Sequence, residues 1–359
     1  MTWIGLATPD IHRFSHYGLG LDRQDTPVAP QETHPILARG TLVVEFPLTG
    51  EEGADLIAGH LWANQPAKRG IELRLIPSGG ISFVQTFGAE VRHGAVRYAT
   101  RIRARLIRLS YAWDTTRQWA RLAVERPGSE ILDFNTLYSP LPLLLDDLRH
   151  IVETGVAGGC VALSSDALPL GPSPTLASDV QVPTGFGPRA LCSLKRGDTV
   201  FGPDGFSTPV LYPLRARFPA VGSFRPIRLR APFFGLRHDI VVAATQQIVL
   251  TGSRVEYNYG QEAVLIPAMH LIGSLSAHHE TSGPVVDYAQ ALMPMAETLK
   301  IAGTPFTTPN IGRLRRDTDT LAQTWFAGLA RNVLPEHAPS GLPVRNHFET
   351  SALGGEMAA

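Results

Sequence analysis

The sequence predicts a mainly β protein of two domains. An antiparallel β-sandwich occupies the N-terminal half and a second all-β domain the C-terminal half, with a short linker helix between them and a C-terminal helix behind. Three observations predict this. At 359 residues the chain is long enough to bury two separate cores. From Gly40 onward, short runs of alternating apolar and polar residues recur at hairpin spacing, punctuated by glycine and proline. Helical periodicity is confined to two places, Pro140–Val156 and the stretch around Leu321.

Residues 1–37 mix proline, glycine, histidine and charge without periodicity and read as an N-terminal arm. Residues 38–140 carry the sandwich. Thr41–Phe46, Ile71–Ile76 and Ile81–Phe87 are strand-like, and Pro77-Ser78-Gly79-Gly80 has the chemistry of a turn. Arg101–Trp113 alternates over its whole length, and a turn at Asp114-Thr115-Thr116 leads into Gln118–Glu125. In 141–174, Leu144, Leu148, Ile151 and Val152 fall at helical spacing, with Asp146 and Asp147 early, where the helix dipole favours acidic groups. A Gly/Ser/Pro-rich linker follows to Pro174. The second β-domain spans 175–312. In 313–335, Leu321, Trp325, Leu329 and Val333 form an i, i+4 stripe, with Asp317 or Thr318 as N-cap, so a C-terminal helix is expected there. Residues 336–359 read as a loosely ordered tail.

Composition removes several function classes. Acidic and basic residues balance at 32 each, so no overall field favours nucleic acid or an anionic membrane, and neither is expected as a partner. Lys68, Lys195 and Lys300 are the only lysines, an arginine skew that reflects a GC-rich genome. No window offers 18 apolar residues free of charge, so a soluble protein is expected. Met1–Leu21 lacks a basic segment followed by an apolar one, so no conventional signal peptide is read. A cytoplasmic protein, or one exported by another route, is expected. Cys160 and Cys192 are too few for a disulfide framework or a zinc site and read as buried thiols. The expected complement of metals and cofactors is none. His278-His279-Glu280 reads as a solvated loop, because adjacent histidines diverge and a fourth ligand is not identifiable. His270 reads as a satisfied core histidine.

The second half carries an ordered series of motifs: Val182-Pro-Thr-Gly-Phe-Gly187, Leu194-Lys-Arg-Gly-Asp-Thr-Val200, Gly202-Pro-Asp-Gly205, Asp239–Val242, Gln247–Leu250 and Val264–Leu271. This series resembles the bacterial Hedgehog/intein (Hint) domain over about residues 175–312. The resemblance implies an acyl shift, in which a thiol or hydroxyl attacks the preceding carbonyl while a Thr/Ser and a histidine polarise that peptide and protonate its nitrogen. Mapped onto this chain, the nucleophile position falls at Thr175, the hydroxyl at Ala244, the histidine at Gln247 and a later histidine at Ala296, with Thr307 and Thr308 nearby in the pattern. An alanine and an amide in place of a hydroxyl and an imidazole make the site degenerate, and autoprocessing is not expected. The first half is similar to concanavalin-like and laminin-G jelly rolls over about residues 38–137, in its Ile71–Phe87 hairpin and its Leu109–Asp114/Arg121–Glu125 pair.

Arg101, Arg103 and Arg105 alternate with apolar residues and share one strand face, either a cationic stripe for anionic ligands or an ordinary solvated face. With Trp113 and Trp119 they are the candidate ligand contacts, since sugars stack on aromatic faces. The Glu-x-Asp-x-x-Glu run of jelly-roll glucanases is absent, as is any glycine-rich phosphate loop. Three readings follow. The first is a non-catalytic binding or structural protein recognising carbohydrate or another protein; the second is a self-cleaving Hint protein using Thr175; the third is a structural subunit of a larger assembly. Nothing in the sequence sets the oligomeric state.

Overall fold

In the computed structural model of the protein, which describes residues 2–20, 35–47, 56–62, 67–76, 79–97, 106–127, 132–273, 275–281 and 283–350, the alternating runs of the first half are strands. The chain divides into two units, Met1–Leu168 and Pro169–Ala359.

The first unit contains β1 (Trp3–Thr8), β2 (Ile11–Phe14), β3 (Arg39–Pro47), β4 (Leu56–Trp62), β5 (Arg69–Ile76), β6 (Gly80–Phe87), β7 (Glu90–Arg97), β8 (Leu106–Asp114), β9 (Trp119–Glu125), β10 (Leu132–Tyr138), helix α1 (Leu145–Thr154) and β11 (Cys160–Ser164). One sheet has seven strands in the order β10-β9-β8-β3-β11-β1-β2, and a second has four in the order β4-β5-β6-β7. All the pairings are antiparallel. Alternate residues of both sheets, among them Leu42, Val44, Leu73, Ile81, Phe83, Tyr111 and Leu122, form one buried core. Phe83 of the small sheet stacks on Tyr111 of the large one at 3.9 Å, and Tyr111 stacks on Trp113 at 5.6 Å. Leu148, Ile151 and Val152 on one face of α1 join that core. The ion pair of Asp147 with Arg69 of β5, at 2.7 Å and with both side chains buried, ties the helix to the small sheet.

The expected sandwich is therefore present, with two additions. Trp3–Thr8 and Ile11–Phe14 of the expected arm are strands of the large sheet, and so is Cys160–Ser164 of the expected linker. Cys-Val-Ala-Leu-Ser is a wholly buried strand, and its apolar run lacks the polar alternation of a half-exposed one. Arg101, Arg103 and Arg105 lie outside the described residues, as do Pro77 and Ser78 of the expected turn.

The second unit contains β12 (Leu176–Ala177), β13 (Gln181–Thr184), β14 (Gly187–Ala190), β15 (Thr199–Phe201), β16 (Ser207–Pro209), β17 (Tyr212–Pro219), β18 (Pro226–Leu229), β19 (Ile240–Ala243), β20 (Gln247–Thr251), α2 (Ser253–Tyr259), β21 (Ala263–Pro267), β22 (Ala277–His279), β23 (Val285–Leu292), β24 (Thr298–Ile301), β25 (Thr304–Thr307), α3 (Thr318–Leu321) and α4 (His347–Thr350). Its sheets run β17-β23-β12-β19-β18-β22, β14-β13-β15-β16 and β21-β20-β25-β24. They enclose a core that includes Leu176, Val182, Ile227, Val242, Ile248, Ile266 and Phe306.

The C-terminal helix is shorter than its stripe suggests. Asp317 caps it as expected, accepting from the backbone of Asp319 and Thr320, but α3 ends at Leu321. Thr324 turns its hydroxyl back to the Leu321 carbonyl and pairs as an isolated parallel bridge with Leu170, so the chain leaves the helix there. Leu321, Phe326 and Leu334 instead fill a small separate core with Leu214, Leu292 and Ile311. Residues 336–350 of the expected tail are fastened down. Arg345 donates its backbone N–H to Leu265, its carbonyl meets His270 Nδ1 at 3.0 Å, and Tyr259 donates to the Glu349 carbonyl.

Candidate functional site

Thr175 sits immediately before β12, the two-residue strand in the middle of the six-stranded sheet. Its carbonyl accepts from Ala243 N–H at 2.7 Å, which fixes its backbone against the end of β19. The turn that follows β19 brings Gln246 opposite it. Thr175 Oγ1 donates to Gln246 Oε1 at 2.6 Å, and Gln290 Nε2 of β23 donates to both Thr175 Oγ1 at 3.0 Å and Gln246 Oε1 at 2.8 Å. Gln246 Nε2 in turn donates to the Gln247 carbonyl at 2.8 Å and to the Thr307 carbonyl of β25 at 3.2 Å. The Thr175 hydroxyl thus has two side-chain partners, and Gln246 carries the network on to β20 and β25. Thr175 is half-buried, while Gln246 and Gln290 are 2% and 3% exposed.

The glutamine that reaches Thr175 is Gln246, the neighbour of the mapped Gln247. Gln247 opens β20 and contributes only its carbonyl. Ala244 is buried in the core, its carbonyl accepting from Met269 N–H, and Ala296 lies exposed in the turn between β23 and β24. Of the two threonines, Thr307 is at the cluster, whereas Thr308 is bonded to Glu297. Sequence reasoning missed Gln290. Its signal was available: one amide inside the otherwise apolar run Tyr288-Ala289-Gln290-Ala291-Leu292-Met293 marks a buried polar position that needs partners. Gln290 Oε1 has no hydrogen-bond partner among the described residues.

The groups of the cluster are two hydroxyls, two amides and backbone carbonyls, none of which titrates near neutral pH. Thr175 commits its single proton to an amide oxygen, which is no base.

The other candidates fall elsewhere. Trp113 presents no face to a ligand: its ring is wholly buried, and its indole N–H donates to the Leu37 carbonyl at 2.8 Å. Its expected role as a ligand contact is corrected to a core role. Trp119 is half-buried, with the Arg121 guanidinium 5.5 Å from its ring centre. Burial lowers the Arg121 pKa to about 10. Glu280, next to His279, is paired with Arg228 at 2.5 Å. Cys160 and Cys192 are unbridged, and burial raises the Cys160 thiol well above its usual range.

Residues 174–310 match the family model described as the Hint domain. The second unit therefore carries a Hint-like domain, and the match opens one residue before Thr175. Among solved structures the chain is similar to the CBM40 module of the Ruminococcus gnavus IT-sialidase bound to α2,3-sialyllactose, at 14% identity over 36% of this chain and 78% of that one, with a TM-score of 0.26. It is also similar to the MchDnaB-1 intein, at 16% identity over 37% of this chain and 98% of that one, with a TM-score of 0.26. No curated protein matches the chain.

Proposed function

We propose that the protein is a non-catalytic binding or structural protein whose Hint-like domain does not process itself. The observation that carries this reading is the Thr175 hydroxyl held between the amides of Gln246 and Gln290. An acyl shift at the Pro174–Thr175 peptide asks for a nucleophile, a polarising donor and an acid for the departing nitrogen. Thr175 supplies a weak nucleophile, and the amides supply donors. Neither supplies an acid. Removing one member of such a unit commonly costs several orders of magnitude in rate.

The test is intact mass. Purified protein held overnight with and without dithiothreitol or hydroxylamine is expected to stay one chain of 38.9 kDa. Fragments meeting between Pro174 and Thr175 would overturn the reading and make the protein self-processing.

For the sandwich we propose a saccharide, or a surface component that bears one, as ligand. Trp119 is the described aromatic candidate, and the Arg101–Arg105 stripe is the proposed cationic one. A glycan array is expected to retain at least one saccharide, with Trp119→Ala weakening it. An array without hits, from a protein that forms a defined oligomer by light scattering, would favour a structural subunit instead.

A further inference from the structure

Arg313, Arg315 and Arg316 read from sequence as a surface run before the last helix, and neither the sandwich nor the Thr175 cluster uses Arg315 or Arg316. In the structure Arg315 and Arg316 line an open cavity of about 460 Å³ with Arg331, Asn332 and Glu336. The cavity lies beyond residue 310, where the Hint match ends.

Its walls are held in place. Glu336 accepts from Arg315 Nε at 2.5 Å and from Arg316 Nε and Nη2 at 3.0 and 2.5 Å, so one carboxylate fixes two guanidinium groups. Arg331 Nε donates to the Arg315 carbonyl at 3.0 Å, which fixes the third. Glu336 is itself positioned by its neighbour. His337 is buried and bonds Ile311 N–H through Nδ1 at 3.2 Å and the Met293 carbonyl through Nε2 at 3.1 Å, while its own N–H donates to Gly312. The loop from Gly312 to Glu336 is thereby closed on β23.

Charge then decides what fits. Three arginines and one glutamate line the cavity, an excess of two positive charges among its lining residues on a chain whose net charge is zero. The nearest acid in sequence, Asp317, is committed to the α3 cap through Asp319 N–H, Thr320 N–H and Thr320 Oγ1. Among the described residues, Arg315 Nη1 and Nη2, Arg316 Nη1, Arg331 Nη1 and Nη2 and the Asn332 amide have no protein partner. Three arginines with unpaired guanidinium nitrogens line this open cavity, and a guanidinium fork matches the oxygens of a tetrahedral oxyanion.

We propose that this cavity binds the phosphate or sulfate group of a small ester. The site is independent of whether the Hint-like domain processes itself.

Calorimetric titration of the full chain in low-salt buffer tests it. The probes are inorganic phosphate, inorganic sulfate, glucose 6-phosphate, glucose 6-sulfate and, as the neutral control, glucose. Binding of the anions in about the millimolar range or tighter is expected, with no heat from glucose. Arg331→Ala is expected to weaken the anions about tenfold, and Arg331→Lys, which keeps the charge but loses the fork, by an intermediate factor. Arg117→Ala, an exposed arginine of the other unit, is expected to change nothing. The better of the two esters identifies the source of the group. No anion binding at tens of millimolar, or equal loss in the Arg331 and Arg117 variants, would overturn the proposal. If Arg331→Ala melts below the working temperature, Arg331→Lys carries the comparison alone. Unchanged affinity in that variant then counts against the site.

Discussion

Gly40 is a glycine because Trp113 occupies the space beside it. A Cβ there would lie 2.7 Å from both the Ser164 carbonyl oxygen and the indole ring. Gly40→Ala is therefore expected to cost about 1–3 kcal/mol through overpacking, and Trp113→Ala about 3–5 kcal/mol through the void it leaves. Urea unfolding reads both, and an unchanged midpoint for Gly40→Ala would show that both the ring and the Ser164 backbone can give way. His337 is constrained differently. Because Ile311 N–H is a donor, Nδ1 must accept, so the proton sits on Nε2 and the ring is neutral. Burial holds its pKa below the ordinary 6.5, outweighing the Met293 carbonyl and the charge of Glu297, which act the other way. The unfolded chain takes up that proton first as pH falls. Stability is thus full above pH 6.5 and is lost as pH drops below it toward the folded-state pKa. His279 shifts in the same direction, again chiefly by burial. Melting temperature measured from pH 7.5 down to 5 is expected to fall, and His337→Gln, though less stable throughout, to fall less steeply. A parallel slope in that variant would assign the effect elsewhere. At this scale the sequence pointed to Thr175 and to the adjacent glutamines after β19, and the bond from Thr175 goes to Gln246. An alignment of motifs settles which segment is near, whereas the turn after β19 settles which of two adjacent glutamines points inward.

Elements were legible wherever one periodicity governed a whole segment. The spacing of Leu148, Ile151 and Val152 announces α1, and these residues are the ones it buries, together with Asp147. Asp147 is buried because Arg69 meets it with two hydrogen bonds, at 2.7 and 3.0 Å. Removing one partner of such a pair strands the other charge, so Asp147→Ala is expected to cost about 3–5 kcal/mol. Replacing both with leucine is expected to cost much less, since no charge is then left behind. A double-mutant cycle by denaturant unfolding checks this, and additive losses would refute the coupling. The Leu321–Val333 stripe misled because hydrophobic spacing alone does not register a threonine that competes for the helix backbone. Thr324 takes the Leu321 carbonyl, and Trp325 N–H goes to Leu170 instead of to its own helix. Cys160–Ser164 was read as linker because glycine and serine surround it, yet five residues of short apolar character bounded by such punctuation also describe a buried strand.

At the scale of the whole molecule, the chain divides into two units between Leu168 and Pro169, within the segment read from sequence as helix and linker. What composition could not reveal is how the first unit is closed. Its large sheet places β11 between β3 and β1, with Cys160–Ser164 paired to Thr41–Glu45 on one side and Trp3–Ala7 paired to Val161–Ser164 on the other. The first strand and the last are therefore neighbours, and among the described residues β1 and β2 join the rest of that sheet through β11. This sets an order of events on the ribosome. At roughly 5–20 residues per second, β1 emerges on the order of ten to thirty seconds before its partner has been made. In that interval β3 and β1 each lack the neighbour that will finally lie between them, and the apolar Trp3, Ile4 and Leu6 have no finished sheet to enter. The nascent sandwich is thus a client for any factor that shields unpaired strands, and a ribosome stalled before residue 160 would hold an open sheet rather than a smaller version of the fold.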